Sequence, residues 1–362
     1  MKLGRLIGIG GLSFSLFGCA SAQQPPRDSW RFAVGGDSRN CGDVVMPAVA
    51  AGVRAEGARF YWHLGDFRAM NNFDQDMVAK KKASSAGAAM TIAEYQKTAW
   101  DDFIENQLSP FGDTPVYLGI GNHELYAPKS RLEFLSQFAD WLTAEPISRQ
   151  RLADDPRDHR LKTYYHWVER GVDFVTLDNA STDQFDEEQA KWIERVLARD
   201  AADPSIRTII VGMHAALPDS LSASHSMNEW TQGEQSGRRV YADLLKARSD
   251  GKRVYVLASH SHFYLSDTFA TDYWRSHGGV LPGWIVGTTG AIRYALPAGA
   301  GAAREAMTNV YGFLIGAVTS DGEVQFQFHE VREPDVPADV VRRFTPEAVH
   351  DCFAQNRETT PR

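Results

Sequence analysis

Side chains that commonly bind metal ions follow five apolar segments of the chain, each where a β-strand is expected to end. They are Asp37, Asp66, Asn122, His123, His214, His260 and His262. Loops at the carboxyl ends of strands line the usual ligand crevice of an open α/β sheet, so we expect these side chains to converge. An aspartate after a strand is commonly a turn or cap residue. The coincidence at five places nevertheless favours a metal site.

The donor types indicate the chemistry of such a site. Mixed oxygen and nitrogen donors suit borderline metals such as zinc, manganese or iron. A carboxylate can bridge two cations, and two cations about 3.5–4 Å apart can clamp the attacking and leaving oxygens of a displacement at phosphorus. They also lower the pKa of a bound water, which gives a nucleophile at neutral pH. The predicted chemistry is attack on phosphorus by a metal-activated water.

The elements that must position these residues alternate between strands and helices. The expected strands are 30–35, 59–64, 115–120, 163–168, 172–177, 207–212, 253–257, 283–286, 310–318 and 323–329. The expected helices are 42–56, 91–108, 131–142, 186–199 and 238–247, with another that begins at Thr345-Pro346-Glu347. Segments 67–90 and 143–162 are expected to be irregular. Parallel βαβ units followed by hairpin strands predict an α/β fold in which two packed sheets are flanked by helices.

Five short motifs contain the candidate residues. They are Asp37-Ser38-Arg39, Gly65-Asp66, Gly121-Asn122-His123-Glu124, Gly212-Met213-His214 and Ser259-His260-Ser261-His262. In type, order and spacing these motifs resemble those of the calcineurin-like metallophosphoesterases. The resemblance implies a four-layer α/β/β/α sandwich of two mixed β-sheets flanked by helices, with its metal site at the carboxyl ends of strands. It also implies two divalent or trivalent metal ions, manganese, iron or zinc, and hydrolysis of a small phosphorylated substrate.

The resemblance also implies a role for each residue. Asp66 would bridge both metal ions. His123 would bind neither ion, but would stabilise the transition state or protonate the leaving oxygen. The remaining ligands would be Asp37 and His262 for the first ion, and Asn122, His214 and His260 for the second.

Two positions depart from the family pattern in ways that affect the chemistry. Arg39 stands where the family often has a histidine, and a guanidinium, which is always charged, is a poor metal ligand. Water, substrate or Asn40 would then replace the lost donor, and Arg39 would either contact the phosphate as a second catalytic residue or form a structural salt bridge. Ala69 stands where some relatives have an aspartate that orients the catalytic histidine, and Asp74 and Asp76 are the candidate substitutes.

Other positions leave two readings open. Ser259 replaces the glycine of the last family motif, a mild change that tightens the turn. Glu124 either fixes the local turn or orients a histidine, or else it is an acid at a helix N-terminus. His225 either contacts substrate or is a solvated loop residue, and His63 is expected to pack behind the site. The turn at 287–290 either borders the site or is a plain turn, and a plain turn is expected.

Composition excludes one class of partner. The chain has 362 residues and a formal net charge of -8, and its longest run of basic residues is Lys80 to Lys82. Nucleic-acid duplexes usually require a basic face, so they are not expected as ligands.

The N-terminus has the features of a secretion signal. Lys2 and Arg5 precede an apolar stretch, and Leu16-Phe17-Gly18-Cys19 resembles a bacterial lipobox. The resemblance implies cleavage before Cys19 and lipidation of its sulfur, whereas the alternative is an ordinary signal peptide cleaved after Ala20 or Ala22. The expected location is the periplasm, with a lipid anchor in the outer membrane as the only membrane contact. Cys41 and Cys352 would remain, either as a disulfide or as two buried thiols.

The expected organisation therefore has four parts: a signal peptide at 1–18, a lipidated cysteine and tether at 19–29, a metallophosphoesterase domain at 30–335, and a C-terminal extension with a short helix at 336–362. The leading function is a phosphoester hydrolase at the cell envelope that uses two metal ions. The alternative is a non-catalytic envelope protein that binds metal or phosphate through a degenerate site, an interpretation motivated by Arg39 and Ala69.

Overall fold

The computed structural model describes residues 29–83, 90–222 and 224–358, with the backbone alone for 80–83. The expected signal peptide, Cys19 and most of the tether lie outside these residues. Two β-sheets form the centre of the molecule. The first has five strands in the order β12-β11-β1-β2-β3. Its strands are β1 (Trp30–Gly35), β2 (Tyr61–His63), β3 (Val116–Leu118), β11 (Tyr311–Val318) and β12 (Val324–Val331). Strands β1, β2 and β3 are parallel, and β11 pairs with β1 in the antiparallel direction.

The second sheet has seven strands in the order β10-β8-β9-β7-β6-β5-β4. They are β4 (Tyr165–Glu169), β5 (Val172–Thr176), β6 (Thr208–Gly212), β7 (Arg253–Ala258), β8 (Tyr264–Ser266), β9 (Gly283–Val286) and β10 (Ala306–Met307). Strands β5, β6, β7 and β9 are parallel, whereas β4, β8 and β10 pair in the antiparallel direction. Both sheets are therefore mixed, as predicted.

Helices cover the outer faces of the two sheets. They are α1 (Gly42–Ala55), α2 (Gln75–Ala83), α3 (Ile92–Phe103), α4 (Arg131–Gln137), α5 (Ala139–Leu142), α6 (Glu145–Asp154), α7 (Glu187–Ala202), α8 (Thr231–Ser249), α9 (Asp272–Ser276), α10 (Ala338–Phe344) and α11 (Pro346–Ala354). A π-helical segment, Ile104–Leu108, continues α3. None of these described helices has the length and apolar character that a membrane crossing requires.

Successive side chains of the central strands point to opposite faces of the sheet, so the core has separate layers. Ile209 and Val211 of β6 pack with the apolar residues of α7 and α8, while Ile210 between them faces the other sheet. Aromatic rings fill the space between the sheets; for example, Phe32 of β1 lies edge-on to Phe174 of β5 at 5.0 Å. Strands buried on both faces read as apolar runs, which explains why the sequence located them well. The predicted α/β fold of two mixed sheets flanked by helices is confirmed.

Two segments that were expected to be irregular contain helices. Helix α6 lies within 143–162, and its one buried residue is Ile147. Helix α2 lies within 67–90 and buries Met77 and Asp76. Helix α8 also begins seven residues earlier than predicted, because its first two turns contain Gly233 and Gly237, which lower helix propensity. Among the described residues, helices α2 and α6 bury few apolar side chains, so their sequences have little apolar periodicity.

The C-terminal segment is tied to the first sheet's loops. Cys41 and Cys352 form a disulfide with their Cα atoms 5.9 Å apart, which is the pairing that the sequence left open. Thr345 caps helix α11 by accepting a hydrogen bond from the backbone N–H of Ala348, with Pro346 in the first turn. The loop after β1 and the end of the chain are thus held together covalently.

Candidate metal site

Three candidate residues occupy a backbone conformation that non-glycine residues rarely adopt. Asp37, Asp66 and His260 have φ values of 59°, 61° and 64°, each in the loop after a parallel strand. Two of these loops support each other, because the N–H of Asp37 donates to the carbonyl of Gly65 and the N–H of Ser38 donates to the carbonyl of Asp66, both at 3.0 Å. Such strain persists where the surrounding structure fixes it, and it concentrates at functional sites.

Four of the predicted ligands converge on one point between the two sheets. The Nε2 atom of His214 lies 3.0 Å from Asn122 Oδ1, 3.0 Å from His260 Nδ1 and 3.3 Å from Asp66 Oδ1. Asp66 and His214 are buried, and ligand atoms of Asp66, His214 and His260 all lie within 4.8 Å of one another. Asp66 and Asn122 belong to loops of the first sheet, and the two histidines belong to loops of the second.

The hydrogen bonds of His214 indicate which atom it offers to a ligand. Its Nδ1 atom lies 3.0 Å from the carbonyl of Leu64, which can only accept, so Nδ1 carries the hydrogen. Burial opposes protonation of Nε2, but the carboxylates of Asp66 and Asp37 outweigh it and raise the pKa of His214 to about 10. The surroundings of Nε2 therefore favour a positive charge at this point, and a cation meets that requirement as a proton does.

Asp37 and His262 form the other half of the cluster. His262 Nε2 lies 3.1 Å from Asp37 Oδ1, and both residues are buried. The second oxygen of Asp37 accepts hydrogen bonds from the hydroxyl of Ser259 and from the N–H of His260, the latter at 2.6 Å. Burial alone would raise the pKa of Asp37, but His262 and His214 hold it below its ordinary value. Asp37 is therefore a carboxylate throughout the physiological range.

Arg39 points into this half of the cluster. Its Nη2 atom lies 3.1 Å from His262 Nε2, and its Nε atom lies 3.6 Å from Asp66 Oδ2. Asn40, a candidate for the missing donor, uses its side-chain oxygen to accept a hydrogen bond from the N–H of Ile292 at 3.1 Å.

His123 lies beside Asp66, and its ring orientation is fixed by the backbone. Its Nδ1 atom donates to the carbonyl of Ala69, and its Nε2 atom lies 3.7 Å from Asp66 Oδ2. The two candidate substitutes for an orienting aspartate have other contacts: Asp74 accepts from Tyr95 and the N–H of Asn40, and Asp76 accepts from the N–H of Asp43. The backbone carbonyl of Ala69 thus orients the ring of His123, the role that the resemblance assigns to an aspartate side chain at this position in some relatives.

Glu124 acts through the backbone of the Asp66 loop. Its carboxylate accepts hydrogen bonds from the N–H groups of Asp66, Phe67 and Gly121, at 2.8, 2.9 and 2.8 Å. Burial and the charge of Asp66 raise its pKa to about 8. Gly121 must be glycine, because a Cβ there would lie 2.3 Å from Asp66 Oδ1. Both readings of Glu124 agree with the structure, because it fixes the turn and also lies in the first turn of the short 3₁₀ helix Asn122–Leu125.

His63 is packed behind the site, as expected. Its Nδ1 atom accepts from the N–H of Gly65 at 3.2 Å, so its Nε2 atom donates to the hydroxyl of Ser38 at 3.0 Å. Burial lowers its pKa to about 3, so the ring is neutral.

Sequence reasoning missed Tyr294 at the site, and it did not predict the contacts of His225, Ser259 and the turn at 287–290. Tyr294 stacks on His262 with ring centroids 3.9 Å apart, and the ring of His225 lies 5.4 Å from that of His260 and 5.1 Å from that of Tyr294. Ser259, which was read as a mild change, donates to Asp37. The turn at 287–290 also borders the site, because a Cβ at Gly287 would lie 2.7 Å from Asp37 Oδ2. These contacts join distant parts of the chain, and a local pattern does not reveal them.

Three of the solved structures that are similar to this chain illustrate the likeness. A purple acid phosphatase from yellow lupin (Lupinus luteus) superposes with a TM-score of 0.55 and 16% identity, over 83% of this chain and 51% of that one. The structure of PhoD superposes with a TM-score of 0.52 and 12% identity, over 92% and 78%. A dimetal phosphatase from Danio rerio superposes with a TM-score of 0.50 and 13% identity, over 82% and 98%.

This chain has the calcineurin-like metallophosphoesterase fold. It spans about half the length of the lupin phosphatase. No family model and no curated protein sequence matches the chain, so the likeness is one of three-dimensional structure.

The two metal positions expected for the metallophosphoesterase fold fit this chain unequally. The donors for the second ion, Asp66, Asn122, His214 and His260, include no positively charged side chain, and their oxygen and nitrogen atoms suit a borderline cation. The donors for the first ion lie against the guanidinium of Arg39. The residues present therefore fit one cation at the second position and do not fit one at the first.

Proposed function

We propose that the protein is a metal-dependent phosphoester hydrolase that acts on a small phosphorylated substrate. The observation that carries this proposal is the convergence of Asp66, Asn122, His214 and His260 around His214 Nε2. The fold shared with known phosphatases supports the reaction class. A bound divalent cation would supply Lewis acidity, both to the phosphoryl oxygens and to the attacking water.

The chain's own residues would then bind and orient the substrate. The guanidinium of Arg39 would pair with a phosphate oxygen, since its planar fork matches the geometry of phosphate. His123 Nε2 faces the same region and would assist the leaving oxygen. Burial lowers the pKa of His123 to about 4, and a phosphate beside Nε2 would add the negative charge that favours its protonated form.

Turnover of an aryl phosphate and a bis-aryl phosphate, in the presence of Mn²⁺, Zn²⁺ or Fe²⁺, tests this function and separates monoester from diester preference. Asp66→Asn should lower the rate at least about 100-fold and reduce the bound metal, because it removes a charged ligand. Asp250→Asn is the matched control, since Asp250 lies at the exposed end of α8, paired with Lys246. Equal activity in both variants would contradict the proposal.

Arg39 and Ala69 also favour a second candidate, a non-catalytic protein that binds metal or phosphate. The same assay distinguishes it. A protein that is loaded with metal, binds phosphate and turns over neither ester would support this second function.

We also propose that the protein is secreted. The N-terminal signal pattern motivates this proposal, and the Cys41–Cys352 disulfide supports it because disulfides persist in oxidising compartments. Fractionation of cells with labelled lipid tests both the location and the anchor. Cys19→Ala should abolish labelling, and a labelled Cys19→Ala protein would contradict the anchor.

A further inference from the structure

The Asp37 side of the site presents three atoms that can only accept a positive charge or a hydrogen bond. The Nδ1 atom of His262 lies 2.6 Å from the carbonyl of Ile292 and carries the hydrogen. Its Nε2 atom lies 3.1 Å from Arg39 Nη2, which can only donate, so Nε2 presents its lone pair. Asp37 Oδ1 lies 3.1 Å from His262 Nε2. Asp66 Oδ2 is buried and has no hydrogen-bond partner among the described residues. Acceptors held this close together require a cation or a hydrogen-bond donor beside them.

Arg39 supplies that cation from the same loop. Its side chain is 13% exposed, and its guanidinium reaches both His262 Nε2, at 3.1 Å from Nη2, and Asp66 Oδ2, at 3.6 Å from Nε. Asn40, with a φ of 70°, follows Arg39 and is fixed by Asp74, whose carboxylate accepts from its N–H at 2.6 Å. The guanidinium is therefore held by its loop on the atoms that the resemblance assigns to the first metal ion.

A divalent ion at the same position would meet a permanent positive charge. Metal–ligand distances are about 2.0–2.2 Å for oxygen and nitrogen, so an ion bound to His262 Nε2 would contact the Arg39 nitrogen that lies 3.1 Å from it. The first position also has few donors, because Arg39 stands where the family often has a histidine. At the second position, by contrast, four donor groups converge and none of them is cationic.

We propose that this protein binds a single divalent cation, at Asp66, Asn122, His214 and His260, and that the guanidinium of Arg39 takes the place of the first metal ion. The inference rests on the proposed function for the existence of the bound cation. It differs from the dinuclear arrangement expected from the sequence. Arg39 then permanently offsets one of the two negative charges of Asp37 and Asp66, and it offers the phosphate a fixed cation whose charge does not depend on metal supply.

Metal stoichiometry tests the proposal directly. The mature chain is loaded with Mn²⁺ and desalted, and bound manganese is measured together with its EPR spectrum. The wild type should hold about one equivalent, with the hyperfine pattern of an isolated ion. Arg39→His removes the positive charge and restores a nitrogen donor, so it should raise the manganese content about twofold and give the spectrum of a spin-coupled pair. Arg39→Lys keeps the charge and is the matched control, with about one equivalent expected.

Each result has a definite meaning. Two equivalents and a coupled spectrum in the wild type would overturn the proposal and leave the proposed function intact. No bound metal in the wild type after separate loading with Mn²⁺, Zn²⁺ and Fe²⁺ would contradict the proposed function itself. One equivalent in Arg39→His would overturn the claim that Arg39 excludes the first ion. If Arg39→His does not fold, the wild-type stoichiometry and spectrum still decide between one ion and two, and Asp66→Asn corrects for manganese bound elsewhere.

Discussion

At the scale of single residues, His123 illustrates how the backbone can replace a missing side chain. Its ring is held through Nδ1 by the carbonyl of Ala69, and its own N–H donates to Asp66 Oδ1 at 2.9 Å. The main chain at position 123 therefore supports the carboxylate of Asp66, while the ring Nε2 lies 3.7 Å from Asp66 Oδ2. These two contributions can be separated by mutation, since a substitution keeps the N–H and removes the imidazole.

We expect His123→Asn to lower kcat about 10²- to 10⁴-fold, the usual contribution of a general acid or base. The metal content should stay unchanged, because the ring does not converge on His214 Nε2 with the four proposed ligands. Metal analysis and steady-state kinetics on the same preparation check this. His214→Asn is the comparison, and it should lower metal content and kcat together. Loss of metal from His123→Asn would show that the imidazole is a ligand.

At the scale of elements, the C-terminal helix α11 supports the loops next to Asp37 and His262. Arg293 donates to the carbonyls of Phe353 at 2.6 Å and Asn356 at 3.0 Å, and Asn356 donates to the carbonyl of Gly290 at 3.0 Å. The adjoining Ile292 accepts from His262 and donates to Asn40. The disulfide adds a covalent connection between Cys352 of α11 and Cys41, four residues after Asp37.

Removing this disulfide should destabilise the fold as a whole. The two cysteines are 311 residues apart, so the bond restricts most of the unfolded chain, and we expect Cys41→Ser with Cys352→Ser to lower the free energy of unfolding by roughly 2–5 kcal/mol. Denaturant unfolding with and without a reductant measures the effect. Wild type and double variant should differ only without the reductant, and equal stability in both conditions would contradict this role.

A second link between elements is charged. His166 of β4 lies between Asp154 at the end of α6, at 2.6 Å, and Asp173 of β5, at 2.8 Å, and Arg199 of α7 joins the same group. Burial opposes protonation of His166, but the two carboxylates outweigh it and raise its pKa to about 9. The folded protein therefore retains a proton on His166 that the unfolded chain releases near pH 6.5.

The charged group around His166 predicts that the free energy of unfolding falls as the pH rises. The contribution of His166 should be complete below about pH 6.5 and lost as the pH rises through about 9, because in that range the folded state binds the extra proton. The loss should be of the order of 2–3 kcal/mol. Chemical unfolding of wild type and His166→Gln from pH 6 to 10 tests it, and the difference between them should shrink across the range. A constant difference would indicate that His166 does not titrate.

The same scale shows what the sequence could predict. Strands β1 and β9 lie at their predicted bounds, since apolar runs buried on both faces are a strong signal. Helices α9 and α10 were missed because each buries only one or two side chains. The convergence of the candidate residues was predicted from strand ends. The contacts made by the backbone carbonyls of Ala69, Leu64 and Ile292 were not predicted. Every residue has such a carbonyl, so the residue type does not indicate which carbonyl makes a contact.

At the scale of the whole molecule, the candidate site lies where the two sheets meet. Asp66 and Asn122 come from loops of the five-stranded sheet, and His214 and His260 come from loops of the seven-stranded sheet. A cation held by all four would connect the two halves of the sandwich. Residues brought together from both sheets exist as a set only in the folded chain, so binding must favour folding.

Metal removal should therefore lower the stability of the entire fold. A ligand that binds only the folded state adds about 2.7 kcal/mol at 100 times its dissociation constant. Chelation should reduce Tm reversibly, and returning Mn²⁺ should restore it, as calorimetry can measure. Asp66→Asn should show little response to either step, because this variant lacks the one carboxylate among the four proposed ligands. A chelation response of equal size in Asp66→Asn would mean that the stabilising cation binds elsewhere, and a wild type that shows no response would mean that the two sheets are held together without one.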